Sequence, residues 1–201
     1  MHTHQYLLNL TMNKDYLRKI YKKRRDELFL DGSISKISNS ISQKILNNNL
    51  FKQAKNIMLF YPKGAELNIL EILENTLSKD KNFYLPVCCN MELDICPYKT
   101  GDEICLNKYK IYEPKSEPLC DLSILDIIIT PALCADKDFN RIGYGGGYYD
   151  RLFKRKDLRA KKIIILPDEM VLKSVPCEEF DIPCDVIITE KNSYYNPRSS
   201  L

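Results

Sequence analysis

Ile127-Ile128-Ile129-Thr130-Pro131 is the stretch that decides the fold. Three β-branched residues in succession, with no polar residue alternating between them, suit a strand covered on both faces rather than one with a wet side. Four more runs read the same way: Asn56 to Phe60, Phe83 to Val87, Ile163 to Leu166 and Val186 to Ile188. Between some of them the spacing turns helical, most clearly at Leu67 to Leu77 and Tyr148 to Phe153. Strands alternating with helices predict an α/β chain: a three-layer α/β/α sandwich around a mostly parallel central sheet, Rossmann-like in arrangement.

Upstream of the first strand lie two helical patterns. Asn13 is placed to cap a helix from Lys14 to about Phe29, with Leu17, Ile20, Tyr21 and Leu28 on one side, and a second helix runs from about Ser33 to Leu46, with Ile34, Ile37, Ile41 and Ile45 at spacings of three and four. No repeat or long linker divides the 201 residues, which therefore read as a single domain over 1–201, with 1–12 a disordered extension and 194–201 a frayed tail.

With 44% hydrophobic and 28% charged residues, disordered, collagenous and solenoid chains are excluded. A chain of this length buries roughly 70% of its unfolded surface, so neither disulfides nor a structural metal is needed for a core. The eight cysteines fall mostly in apolar runs without any C-x-x-C pair, and read as reduced, largely buried small hydrophobes. Met1 to Leu10 lacks the basic start of a secretory signal and no apolar run approaches a membrane span, which points to a cytoplasmic protein without a membrane partner. Histidine occurs only at His2 and His4, so Ser-His-Asp, Cys-His and His-metal chemistry have no material. What remains is Lys, Arg, Asp, Glu, Tyr, backbone amides and a hard metal ion, the kit for phosphoryl transfer.

In a parallel sheet, ligands sit beyond the carboxyl ends of the strands. Two loops there stand out: Tyr61-Pro62-Lys63-Gly64-Ala65-Glu66, and the segment from Thr130-Pro131 to Gly147. The second ends in Arg141-Ile142-Gly143-Tyr144-Gly145-Gly146-Gly147-Tyr148-Tyr149-Asp150, which packs four of the seven glycines into five positions. Amides freed of side chains and followed by a helix start make an anion nest; the cluster alone reads equally well as a strand-to-helix turn, and the flanking Arg141 and Asp150 favour phosphate with a metal ion. It is neither a Walker loop nor a dinucleotide fingerprint, because Tyr148 stands where the latter needs glycine. The first helix carries Lys14, Arg18, Lys19, Lys22, Lys23, Arg24 and Arg25 against Asp15 within 14–25. Most of these read as a solvated face, but Lys14 and Arg18, four apart at the helix start, are spaced to close on one anion.

Arg141 to Asp150 closely resembles the R-L-G-x-G-x-G-Y-Y-D stretch of the 5-formyltetrahydrofolate cyclo-ligase family. The likeness extends to Lys14, Leu17 and Arg18, the Tyr61 to Glu66 loop, Glu113-Pro114, Thr130-Pro131, and Pro176 to Asp181 followed by Ile188-Thr189-Glu190. Asn140 stands where that family has Gly before the Arg, and asparagine tolerates a left-handed turn. The resemblance implies an α/β fold and an ATP- and Mg²⁺-dependent conversion of 5-formyltetrahydrofolate to 5,10-methenyltetrahydrofolate, ADP and phosphate. It implies ATP contacts at Lys14, Arg18, Arg141, Gly143, Gly145, Gly146, Gly147 and Tyr149, folate contacts at Tyr61, Glu66, Tyr144 and Tyr148, catalytic roles for Arg141 and Tyr148, and Mg²⁺ at Asp150 and Asp181.

Two rivals differ in testable ways. An RNA-binding protein would use the basic first helix and a second cluster at Lys154, Arg155, Lys156, Arg159, Lys161 and Lys162, yet the net charge is only +3 and no RNA-binding motif occurs. A sugar-phosphate isomerase would use the anion nest without ATP. The favoured expectation is a monomer whose partners are small molecules, with no nucleic acid.

Overall fold

The computed structural model of the protein describes residues 13–199, so the extension read over 1–12 lies outside the described residues, as do the last two positions of the tail. Helix α1 (Lys14–Leu30) starts as expected, the Asn13 side chain accepting a hydrogen bond from the Tyr16 amide at 2.8 Å. Its buried residues are Leu17, Leu28 and, against expectation, Arg25, whereas Ile20 is 40% exposed. Helix α2 (Ser33–Asn47) buries Ile34, Ile41 and Ile45, and a short helix α3 (Asn49–Gln53), absent from the sequence reading, is capped by Asn48 and sinks Phe51 into the core.

The principal sheet contains β1 (Asn56–Met58), β2 (Asn82–Cys89), β3 (Glu92–Pro97), β6 (Ile127–Pro131), β9 (Lys161–Ile165), β11 (Val186–Ile188) and β12 (Ser193–Tyr195). Their order is β12-β11-β9-β6-β1-β2-β3; the inner five are parallel and the two edge strands antiparallel. Side chains of adjacent residues go to opposite faces. Ile57, Ile127 and Ile129 join the cluster covered by α1 and α2, while Met58, Tyr84 and Ile128 join a second cluster with Leu122, Leu125 and Leu152. Leu152 belongs to α4 (Tyr148–Phe153), so the α/β/α sandwich has one thick helical layer and one thin one. Each fully buried isoleucine contributes roughly 1.5–3 kcal/mol, and Ile57, Ile128 and Ile129 are all completely buried.

From β1 the chain moves to β2 on one side and, by way of β6, to β9 and β11 on the other. The order therefore reverses between β1 and β6, and the loops leaving these neighbours splay apart to form a crevice. These are the two loops singled out by sequence. Two smaller sheets frame them: β7 (Cys134–Asp136) with β8 (Arg141–Ile142) and β10 (Val171–Leu172), and the hairpin of β4 (Ile104–Leu106) and β5 (Tyr112–Pro114).

Four local expectations need correction. The helix read over Leu67 to Leu77 is instead two 3₁₀ turns, Leu70–Glu74 and Thr76–Ser78. Asn68 and Asn75 turn their side chains back onto the Leu70 and Leu77 amides at 3.1 and 3.0 Å, a local bond that competes with a continuous helix. The tail read as frayed is strand β12 as far as Tyr195, and the Asn196 side chain donates to the Cys184 carbonyl at 3.0 Å. The left-handed residue before Arg141 is Phe139, φ 67°, rather than Asn140; Asp136 gathers the Asp138 and Asn140 amides, each at 3.0 Å, and so bends the chain at Phe139. The cysteines are all free, but only Cys96, Cys134 and Cys184 are buried, and Cys89, Cys105, Cys120 and Cys177 are exposed.

Candidate active site

A cleft of about 750 Å³ opens at the β1–β6 switch point, lined by the start of α1, the Tyr61 to Glu66 loop, the glycine loop, the β4–β5 hairpin and the 176–181 segment. Every residue that the sequence reading placed in the site lines this one cleft.

At its polar end, Gly145 has φ +95° and Gly147 φ +66°, conformations that side chains rarely adopt. A Cβ on Gly145 would also lie 3.3 Å from the Arg18 guanidinium, which in turn donates from Nε to the Gly143 carbonyl at 3.2 Å. Helix α1 and the loop are thus locked together. Among the described residues, the amides of Gly143, Tyr144, Gly145, Gly146 and Gly147 donate no hydrogen bond within the protein. Lys14 Nζ lies 2.6 Å from Asp181 Oδ2 and 2.8 Å from Glu178 Oε2. Burial alone would lower its pKa, but these two carboxylates outweigh burial and raise it, so Lys14 stays charged.

Arg141 is less free than its place in the motif suggests. Its side chain is 5% exposed, with Nη2 2.9 Å from Asp150 Oδ1, Nη1 donating to the Ile182 carbonyl at 3.0 Å, and the guanidinium 4.7 Å from the centre of the Phe153 ring. It fixes Asp150, whose Oδ1 also accepts from the Ile182 amide at 3.3 Å while Oδ2 has no hydrogen bond among the described residues. No group of three or more His, Cys, Asp or Glu side chains converges as a metal cage among the described residues. Mg²⁺ carried by phosphates takes only one or two protein carboxylates. Asp150 Oδ2 fits such an ion; Asp181 has Oδ2 committed to Lys14 and to the Glu178 amide.

The other end is aromatic and carries a buried charge. Tyr61 packs on Tyr112 of β5 at 5.1 Å between ring centres, and Tyr148 meets Tyr109 edge-on at 6.4 Å with their hydroxyls 3.2 Å apart. That bond pushes the Tyr148 hydroxyl up to about 12. Tyr149 leans on Phe153 at 5.9 Å, and its hydroxyl is raised by burial. Glu66 is buried, its Oε2 accepting from the Lys63 amide at 2.8 Å. Burial raises its pKa, partly offset by that amide, by Arg25 and by Tyr144. Tyr144 has a half-exposed ring, but its hydroxyl accepts a hydrogen bond from buried Arg25 and is pushed up to about 12 by burial and by Glu66.

Sequence reasoning missed Arg25, Tyr109 and the cleft role of Glu113. Arg25 was counted with a charge run, yet it falls four residues after Tyr21 and three before Leu28, on the apolar side of α1; a charge inside that stripe was the signal. Glu113 is 5% exposed, with Oε1 accepting from the Cys88 amide at 2.7 Å and the Asn107 side chain at 2.6 Å. Burial and the Glu113 charge push the Cys88 thiol up to about 11, which makes it a poor nucleophile.

A model of the 5-formyltetrahydrofolate cyclo-ligase family matches residues 10–190. The 5-formyltetrahydrofolate cyclo-ligase of Escherichia coli K12 is 30% identical over 142 residues, covering 68% of this chain and 78% of its own. The probable 5-formyltetrahydrofolate cyclo-ligase of Schizosaccharomyces pombe is 27% identical, covering 93% of this chain and 100% of its own. Among solved structures, the 5,10-methenyltetrahydrofolate synthetase of Aquifex aeolicus superposes with a TM-score of 0.79 at 26% identity, over 94% of this chain and 95% of that one. With the switch-point cleft and its glycine loop in place, and the match running through nearly the whole length, this chain belongs to the 5-formyltetrahydrofolate cyclo-ligase family.

Proposed function

We propose that this enzyme converts 5-formyltetrahydrofolate to 5,10-methenyltetrahydrofolate with ATP and Mg²⁺, releasing ADP and phosphate, as a single-domain, cytoplasmic monomer whose site is complete within one chain. The observation that carries the nucleotide half of this reading is the run of five amides, Gly143 to Gly147, that donate no hydrogen bond among the described residues and lie beside Arg18 and Lys14. Five such donors at the mouth of a cleft are matched by the oxygens of a polyphosphate.

A formamide carbon is a poor electrophile, so its oxygen must become a leaving group. Transfer of the γ-phosphoryl group to that oxygen achieves this. N10 of the same folate then attacks the activated carbon, the C–O bond breaks, and phosphate departs with the formyl oxygen and takes up the proton that N10 loses. Because nucleophile and electrophile share one molecule, alignment can supply roughly 7–11 kcal/mol of the barrier reduction, and the protein's work is positioning and charge neutralisation. Mg²⁺, when bound at Asp150 and the phosphates, neutralises charge on the transferring group.

The chain's own groups divide accordingly. The loop amides and Arg18 grip the phosphates, and Lys14 joins them by exchanging Glu178 or Asp181 for a phosphate oxygen. Arg141 holds Asp150 in place. Tyr61, Tyr144 and Tyr148 give the pterin and its linker flat apolar walls, and Glu66 accepts from pterin N–H donors. Tyr149 anchors the glycine loop to Phe153. No histidine is needed as an acid or base.

Mixing purified protein with 5-formyltetrahydrofolate, ATP and Mg²⁺ tests this by the near-ultraviolet absorbance of the methenyl product. Product should form, and omission of ATP or addition of EDTA should abolish it. Product without nucleotide would contradict phosphoryl activation.

A further inference from the structure

Arg25 is 4% exposed, its Nη1 stands 3.9 Å from Glu66 Oε1, its Nη2 donates to the Tyr144 hydroxyl, and its guanidinium lies 5.2 Å from the centre of the Tyr144 ring. Its Nε is buried with no hydrogen-bond partner among the described residues. A guanidinium so poorly satisfied is a weak device for joining α1 to two loops; a hydrophobic side chain of that size would pack there without an orphaned donor. What it does supply is a permanent positive charge, since arginine does not deprotonate in proteins. The group that needs such a charge is adjacent: Glu66, almost as deeply buried, has no side-chain cation within hydrogen-bond reach among the described residues. Its Oε2 is held by the Lys63 amide and the carboxylate also meets the Tyr144 hydroxyl, while Arg25, 3.9 Å from Oε1, neutralises that oxygen without itself occupying it.

We propose that Arg25 is a positioning residue for folate binding: its buried charge keeps Glu66 ionised inside the cleft while leaving Oε1 open to accept the ligand's N–H groups. This rests on the reading of Glu66 as a folate contact. The groups facing Glu66 are Lys63 from its own loop, Arg25 from α1, Tyr144 from the glycine loop and Tyr149 from α4. Both tyrosines are neutral across the working range, and Lys63 contributes chiefly through its amide, so Arg25 is the one buried cation in this set. Burial already raises Glu66; without Arg25 it rises further, and affinity that depends on the carboxylate is then lost as pH falls.

Calorimetric titration of 5-formyltetrahydrofolate without ATP, from about pH 6 to 8.5, tests this in the wild-type protein and in Arg25→Met, Arg25→Lys and Glu66→Gln, with ATP titrations in parallel. Near neutral pH, Arg25→Met should weaken folate binding roughly tenfold, the scale of one charge-assisted contact. The loss should shrink as pH rises. Arg25→Lys should recover most of the affinity and a pH dependence like that of the wild type. Glu66→Gln should be weak at every pH, the Arg25→Met, Glu66→Gln double variant should be no weaker than Glu66→Gln, and ATP binding should stay within about twofold throughout. A loss in Arg25→Met that is equal at all pH values, or shared equally by ATP, would mean that Arg25 only supports the loops. If Arg25→Met does not fold, Arg25→Lys decides, and folate binding as weak as in Glu66→Gln at every pH overturns the proposal. Wild-type folate affinity in Glu66→Gln would overturn the folate reading of Glu66 and this inference with it; weak binding in Glu66→Gln beside normal binding in Arg25→Met would overturn the inference alone.

Discussion

At one end of the cleft, the amides of Gly143 to Gly147 donate to no acceptor among the described residues, and the neighbouring cations Lys14 and Arg18 come from a single helix turn. At the other end, Glu66 and Arg25 are sunk below the surface, joined through Tyr144 and brought together from three separated segments. The first end is made of backbone amides and cations from one helix start, which suits a ligand whose shape is mostly oxygen atoms. The second is made of fixed side chains, which suits a flat ring with a definite pattern of donors. Changes at the first end should therefore act on nucleotide use, and changes at the second on folate recognition.

The sharpest way to break this division is Gly145→Val. A β-branched residue at φ +95°, with its Cβ 3.3 Å from the Arg18 guanidinium, must distort the loop. Turnover should fall by about two orders of magnitude, the scale of losing oriented backbone donors, with folate affinity nearly unchanged. Equal loss of folate affinity, measured by calorimetry, would show that the two ends are not separate.

Lys14→Ala comes next. It should raise the KM for ATP roughly tenfold and leave the KM for folate unchanged, because the lysine, held by two carboxylates in the structure, exchanges one of them for a phosphate in the proposed reaction. An unchanged ATP KM in steady-state kinetics would leave Lys14 as a clamp on the 176–181 segment only.

Asp150→Asn keeps the side chain's size but removes the charge a hard cation wants. The Mg²⁺ concentration needed for half-maximal turnover should rise several-fold, with folate affinity little changed. A variant that lost only thermal stability, up to ~1 kcal/mol as expected for a carboxylate near a helix start, would mean that Asp150 serves α4 rather than the ion.

The smallest effect belongs to Tyr148. Tyr148→Ala should weaken folate binding a few-fold, at about 1 kcal/mol for a lost aromatic contact, while Tyr148→Phe, which drops only the hydroxyl contact with Tyr109, should fall within about twofold of the wild type. A larger loss in the phenylalanine variant would give the hydroxyl a part in the chemistry that positioning alone does not provide.

The same contrast explains what could be read from the sequence. Ile127 to Ile129 announced a doubly covered strand because burial on two faces leaves no room for polar alternation, and four glycines in five positions announced the loop because few backbones need them. Asn13, Lys14 and Arg18 were legible as a cap and an adjacent pair of cations on one helix face. The Arg25–Glu66 pair was not, because 41 positions of sequence separate its members and only the tertiary fold brings them to 3.9 Å. The β4–β5 hairpin with Tyr109, and the edge strand β3, have strands too short or too mixed in character to show a period, and they form by pairing with what surrounds them. Asn68 and Asn75 lie within an apparently helical spacing and break it through their own side-chain bonds, a conflict that apolar periodicity does not register.

Activation of the formyl oxygen by ATP is tested most directly by following that oxygen. With 5-formyltetrahydrofolate carrying ¹⁸O in the formyl group, one turnover in unlabelled water with ATP and Mg²⁺ should place the label in the released inorganic phosphate, as read by mass spectrometry. Label appearing in water, with unlabelled phosphate, would contradict transfer of the phosphoryl group to the formyl oxygen.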